Sequence, residues 1–459
     1  MDSGMNPKAT SSRLVYPAII ISTLFLLIPA FYNHFPLVNP DTATYLASGF
    51  KPETPFDRPI TYGLLARVFS LNGMSLWMVI FMQGFIVASL IFKIVQRVVG
   101  GRFYIAGACI VFFLSVCSGL SWVVSQVQPD VFTSVGFLCI VLLLLNKEKV
   151  SMRVLLYVLL FLSVAVHLSH PTLFAAALVC LFLLKRFFAA KETYRQVNLT
   201  IAVLIMLSLA SVVIMGSAFS KSKHVFFIGS LLEKGILKKY LDDNCQTRNY
   251  KLCVYKDSLP ASANDFWWNS NSPLYKVGDW KGTQEEFNEI IHKTLTTPKY
   301  LKLYLTATAK QFVVQSSTFN IGDGNFAFPK GTNVNERVAE YFPGEIQRFD
   351  RSRQNNSLQG ELVSGLPNTF FFWVVLVSVA AFIFIAARWG RPGREMKLVI
   401  IVLLTGVILN SLDCAAFGIV NGRYGCKMIW VLPFFVSLYF ATQISESRRM
   451  ISRKPTYKW

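Results

Sequence analysis

The sequence predicts an all-α polytopic membrane protein of about ten transmembrane helices, and three observations carry that prediction. Apolar residues make up 53% of the 459-residue chain and mean hydropathy is +0.45, too apolar for a water-soluble chain of this length. Apolar runs of about 20 residues recur along it, and roughly 17–25 such residues cross a bilayer as a helix. Lys and Arg gather on alternate connections between these runs, as expected of cytoplasmic loops.

The first run, residues 14–33, is too long for the apolar part of a cleavable signal, and no small-x-small site follows it, so the first span is expected to stay in place. Further spans are expected over residues 75–95, 103–121, 129–146, 154–169, 171–187, 197–217, 367–387, 397–418 and 427–444. Basic clusters follow the second, fourth, sixth and eighth spans: Lys93, Arg97 and Arg102; Lys147, Lys149 and Arg153; Lys185, Arg186, Lys191 and Arg195; Arg388, Arg391, Arg394 and Lys397. With Lys8 and Arg13 ahead of the first span and Arg448, Arg449, Arg453, Lys454 and Lys458 in the tail, they all fall on one side. Both termini are therefore expected in the cytoplasm, with the protein in a bacterial inner membrane. The net charge of +20 is largely this bias, facing anionic headgroups of membrane lipids. No basic soluble domain exists to bind nucleic acid, so that class of partner is excluded.

Three regions follow. Residues 1–217 form an N-terminal membrane module of seven spans, whose first outer (periplasmic) loop covers 35–74. Residues 218–366 form an extracytoplasmic region, mixed helical and irregular, in which 284–318 reads as two helices split at Pro298. Residues 367–459 add three spans and a cytoplasmic tail. Cys245 and Cys253 lie in the outer region, where an oxidising compartment favours a disulfide between them. A zinc site is the competing reading and would have to recruit His224 and His292, which have no motif spacing. Cys414 and Cys426 are a weaker candidate pair.

The ionisable groups converge. Of 25 acids, 15 lie in 218–366; among the other ten, Asp41, Glu53, Asp57, Asp130 and Asp413 all project to the outer membrane boundary. His34, His167 and His170 lie at outer span ends, and Arg423 and Tyr424 sit in the last outer turn. Ionisable groups at membrane depth are costly and mark a site or its support. Each also has a plainer reading. Asp41 and Asp130 suit helix N-caps. Asp57 and Arg58 suit a surface pair of little energetic value. Two histidines at i and i+3 do not by themselves make a metal site, and Arg423–Tyr424 suits an interfacial anchor.

The most pointed stretch is the proline-broken loop of residues 39–62, which carries Pro40-Asp41-Thr42-Ala43-Thr44-Tyr45, then Asp57-Arg58-Pro59, then an amphipathic segment at 60–69. Together with the seven-span layout, the large outer region and Asp130 before the fourth span, it resembles the GT-C superfamily of membrane glycosyltransferases, such as protein O-mannosyltransferases and aminoarabinose transferases. Ten spans and an outer region of unfamiliar type depart from the best-known members. The resemblance implies transfer of a hexosyl or pentosyl group from a polyprenyl-phosphate (or diphosphate) donor to an envelope glycan, lipid or protein on the outer face. It implies Asp41, Asp57 and Asp130 as catalytic carboxylates, and Arg58, Tyr45, His167, His170, Arg423 and Tyr424 as substrate-binding residues. Some relatives use a divalent cation at such acids and others do not. An O-antigen-type polymerase or ligase is the alternative enzyme, resting on Arg348, Arg351 and Arg353. A lipid-linked glycan transporter or flippase is the non-enzyme alternative, although no repeated halves are visible. A topology reporter fused after Gly49 or after Ser272 is expected to read as extracytoplasmic; a cytoplasmic signal at either position overturns the orientation.

Overall fold

The computed structural model describes residues 7–214, 216–357, 365–388 and 392–452. Asp2, Arg391, Arg453, Lys454 and Lys458 lie outside the described residues. Among those described the chain is helical, with no strand and one isolated parallel bridge between Leu37 and Gln126.

Each expected apolar run coincides with an apolar helix. Six are long and apolar enough to cross a membrane: Leu76–Val98, His170–Phe187, Tyr194–Val213, Leu366–Ala387, Arg394–Phe417 and Gly422–Arg448. Four are shorter: Leu14–Leu26, Phe103–Cys117, Val131–Leu145 and Val150–Ala165. Local chemistry accounts for three of the short ones. The first is broken at Leu27 and restarts as Ile28–Asn33 with a proline in its first turn. Phe103–Cys117 stops at Ser118 and restarts one residue after it as Leu120–Val124. Val131–Leu145 ends on Asn146 in the left-handed conformation.

Val131–Leu145 is buried on every side from Val131 to Leu144, which explains why it is apolar all round rather than along one stripe. It packs on Leu76–Val98, Val150–Ala165 and Arg394–Phe417 at the bundle centre. Leu366–Ala387 is the opposite case. Phe370, Phe372, Trp373, Val377 and Ile383 are exposed on it, an apolar face of the kind that a bilayer covers.

The region between the seventh and eighth apolar helices divides in two. Residues 225–304 build their own core around Phe266, Trp267, Phe287, Tyr300 and Tyr304. Cys245 and Cys253 are disulfide-bonded at its edge, whereas Cys414 and Cys426 are free thiols. The expected split at Pro298 is present, as Gln284–Thr296 and Pro298–Ser317. Residues 319–349 instead join the core of the bundle through Phe328, Val338, Phe342 and Phe349. Helix Asn333–Tyr341 packs on the first-loop helix Pro40–Phe50, with Phe50 stacked on Tyr341 at 4.7 Å. Gln354 accepts from Val38 N and donates to Val38 O, and Glu345 caps helix Leu76–Val98 by accepting from Leu76 N at 2.9 Å. The first loop is therefore clamped from outside.

Helix Pro40–Phe50 crosses helix Thr61–Phe69 through two glycines. A Cβ on Gly63 would fall on Tyr45 O and Ser48 Oγ, and one on Gly49 would fall on Gly63 O. Gly63→Ala is therefore expected to push these helices apart and cost roughly 1–3 kcal/mol, measured as a lowered unfolding midpoint of the purified protein. Unchanged stability would show that the crossing has slack.

Candidate functional site

The site begins with a helix cap. Asn39 caps Pro40–Phe50: its side chain accepts from Thr42 N at 3.2 Å while Thr42 Oγ1 accepts from Asn39 N at 3.0 Å. The reading of Asp41 as a cap for a helix starting at Ala43 is thus corrected. The helix starts earlier and Asn39 does the capping, so the Asp41 carboxylate in the first turn faces outward from the helix. The same loop is zipped to the turn before Val131. Leu37 N donates to Ser125 O at 2.9 Å, Val127 N donates to Leu37 O at 2.9 Å, and Thr42 Oγ1 donates to Val127 O at 3.1 Å. Asn39 Nδ2 bonds Gln128 Oε1 within the same seam. Asp41 and Asp130 are brought together by backbone pairing.

Arg423 enters from the turn after helix Arg394–Phe417, at the start of helix Gly422–Ile429. Asn421 caps that helix by accepting from Arg423 N at 2.9 Å, and Asp323 accepts from Gly422 N at 2.8 Å. Gln315, near the end of Pro298–Ser317, exchanges hydrogen bonds of 2.8 and 3.0 Å with the Asn421 backbone. Gly425 lets the chain at Thr318 and Phe319 come close, since a Cβ there would overlap Thr318 O.

Five charges then alternate in a chain. Arg58 bonds Asp57 at 2.5 Å and Asp41 Oδ1 at 2.9 Å; Arg423 bonds Asp41 Oδ2 at 3.2 Å, and its Nε lies 3.2 Å from Asp130 Oδ2. That last contact is close but poorly aligned, and neither atom makes a hydrogen bond. The side chains of Arg58 and Arg423 are only 11% and 15% exposed, and Asp130 only 2%. Burial alone would raise the Asp41 pKa, but the guanidiniums of Arg58 and Arg423 outweigh it and hold the carboxyl well below the usual carboxylate range. Arg58 also lies over the Tyr45 ring, 5.3 Å from its centre, and Tyr45 packs edge-on against Tyr62.

This chain forms one wall of a cavity of about 990 Å³, at the upper end for small-molecule sites. Asp41, Tyr45, Asp57, Arg58, Arg423 and Tyr424 line it, as does His167. Trp267, Trp268, Asn264 and Asn288 of the outer core face it from the other side. Nδ1 of His167 accepts from Ser169 N, which leaves the ring proton on Nε2.

Three expected members stand elsewhere. Asp130 does not line the cavity; it lies buried behind Arg423 and makes no cap hydrogen bond, so it positions the guanidinium instead of meeting a ligand. His170 is fully buried with both ring nitrogens engaged, Nδ1 to Ser163 O at 2.5 Å and Nε2 with Thr133 Oγ1 at 2.8 Å, which makes it a packing residue. Glu53 is exposed on the loop and away from the cavity. Asp413 does line the cavity, accepting from Thr172 Oγ1 at 3.1 Å. Lys427, Lys223 and Asp323 also line it and went unread in the sequence. Lys427 had a visible signal, a lysine inside an apolar run four residues beyond Arg423.

The donor set does not fit a divalent cation. Both Asp41 oxygens are held by guanidiniums, and among the described residues no three His, Cys, Asp or Glu side chains converge. The zinc alternative falls as well, because Cys245 and Cys253, which would have supplied its thiolates, are joined in a disulfide. Comparison with protein-family models, curated proteins and solved structures finds no match to this chain.

Removing one partner of a buried pair strands the other, at roughly 3–5 kcal/mol. Arg423→Met is expected to destabilise by about that much because it strands Asp130, and Asp130→Asn added to it is expected to recover most of the loss. Chemical unfolding of the two single variants and the double variant measures this. Additive losses would remove Asp130 as the partner of Arg423.

Proposed function

We propose that this protein is a membrane glycosyltransferase that moves a sugar from a polyprenyl-phosphate donor to a cell-envelope acceptor on the outer face of a bacterial inner membrane. In this reading all ten apolar helices cross the bilayer, the four short ones aided by their flanking turns, and both termini are cytoplasmic. One observation carries the proposal: a carboxylate held between two arginines, Asp41 between Arg58 and Arg423, on the wall of a large cavity between apolar helices and a separate outer core.

The chemistry follows from those groups. The acceptor hydroxyl attacks the anomeric carbon of the donor, the bond from that carbon to the phosphate oxygen breaks, and the hydroxyl proton goes to a carboxylate. The departing phosphate gains negative charge, which guanidiniums stabilise. Asp41 is the base. Clamped by two cations it is a weak one, since its carboxyl is held far below the usual range. A donor phosphate that engages Arg58 and Arg423 neutralises both and raises the basicity of Asp41 only when substrate is present. Asp57 keeps Arg58 in place, His167 offers Nε2–H to a substrate oxygen, and Trp268, half exposed at the cavity, offers a ring face to a sugar.

The polymerase alternative draws no support from geometry. Arg348 and Arg351 are exposed and Arg353 stacks on Tyr32, and none of the three lines the cavity.

Asp41→Asn is expected to lower transfer roughly 10²–10⁴-fold with a smaller effect on folding, because Arg58 retains Asp57 and Arg423 retains Asp130. The assay incubates purified protein with polyprenyl-phosphate sugars and follows release of the lipid phosphate. Near wild-type turnover by this variant would remove Asp41 as the base. No release from any donor by the wild type would remove the glycosyltransferase reading.

A further inference from the structure

Lys427 is one of the largest fully buried side chains in the molecule, at 2% exposure, and it lines the cavity. Among the described residues its ammonium makes no ion pair and no hydrogen bond, and the Tyr424 ring centre lies 5.3 Å from it. Asp413 lines the same cavity and feels that charge, but it accepts from Thr172 and Ser169 and forms no ion pair with Lys427. A cation withdrawn from water without a partner is costly. Its place in the last turn of helix Gly422–Ile429 offsets only part of that cost.

Charge accounting separates Lys427 from the arginines. Arg58 and Arg423 each lie within ion-pair distance of two carboxylates, drawn from Asp41, Asp57 and Asp130, whereas the Lys427 ammonium is paired with none. Lys427 lies four residues beyond Arg423, on the same helix face one turn deeper. Tyr424 stands between them, with the Arg423 guanidinium 5.2 Å from its ring centre. The cavity thus holds a buried cation with no bonded counter-ion among the described residues, Asp413 acting on it only from a distance.

We infer that Lys427 anchors an oxyanion subsite, separate from the Arg58–Asp41–Arg423 chain, that takes a phosphate-class group. The group can come from a soluble phosphate compound or from a lipid headgroup, and the shared chemistry is a tetrahedral oxyanion accepting from a buried ammonium. Binding there does not require that sugar transfer occur, so the subsite stands or falls apart from the proposed reaction.

The test uses full-length protein in phospholipid-free detergent micelles. It is titrated with inorganic pyrophosphate and, separately, with a short-chain phosphatidylglycerol, and the thermal unfolding midpoint is followed. The expected result is a saturable rise with at least one probe, and the responding probe identifies the source of the group. Lys427→Met is expected to weaken that response roughly 10–100-fold and to unfold no earlier than wild type without ligand, because it removes a buried charge that makes no ion pair; Lys427→Arg restores binding. If Met is not accommodated, Lys427→Gln carries the same comparison. The inference is overturned if neither probe raises the midpoint, or if the neutral variant titrates like wild type.

Discussion

The alternating chain Asp57–Arg58–Asp41–Arg423–Asp130 is the constraint on which the site depends. It joins residues up to 382 positions apart. Each arginine lies between two carboxylates, so removing either arginine leaves buried carboxylates unbalanced. Much of the local architecture serves this geometry. The Asn39–Thr42 capping box sets where Asp41 sits on its helix, and the pairing of Leu37 with Ser125 and Val127 sets how far it lies from Asp130. The glycine crossing of Gly49 and Gly63 brings the helix after Arg58 against the helix that carries Asp41.

The cavity owes its size to two cores that do not merge. Residues 225–304 form one cluster, touched by Phe56, Phe417 and Ile419 of the bundle, while the bundle buries its own core and also takes in residues 319–349. The space lies where the two meet, and its lining is correspondingly mixed. Ion pairs come from the bundle side, and the tryptophans Trp267 and Trp268 come from the other. Sites at junctions between packed units are common because neither unit's core has to be hollowed out to make them.

Much of this was legible in the sequence, and the remainder was not for identifiable reasons. Apolar runs report themselves locally, so all ten helices were found, as were the break at Pro298 and the Cys245–Cys253 pair. The gathering of Asp41, Asp57, Arg58 and Arg423 was legible because ionisable groups are rare in such a chain. Their individual duties were not. Whether Asp41 caps or projects depends on a three-residue difference in where the helix starts, and the stronger signal was Asn39 with Thr42. Asp130 and His170 share the sequence signature of cavity residues, yet both are turned inward by partners far along the chain, Arg423 and Thr133. The division of residues 218–366 is decided by long-range packing of Phe342 and Phe349, which no periodicity announces.

The contact at Gly422 and Gly425 has a mechanical consequence. The segment from Thr318 to Asp323 lies so close to the Arg423 helix that a single methyl at either glycine would overlap it, and Gln315 and Asp323 bolt the two together. A joint of this kind has no play. Any tilt of helix Pro298–Ser317 is transmitted to Arg423 as displacement, and through Arg423 to the tension on Asp41. The placement of one of the two cations on Asp41 is therefore set by a helix that contributes nothing to the cavity wall itself.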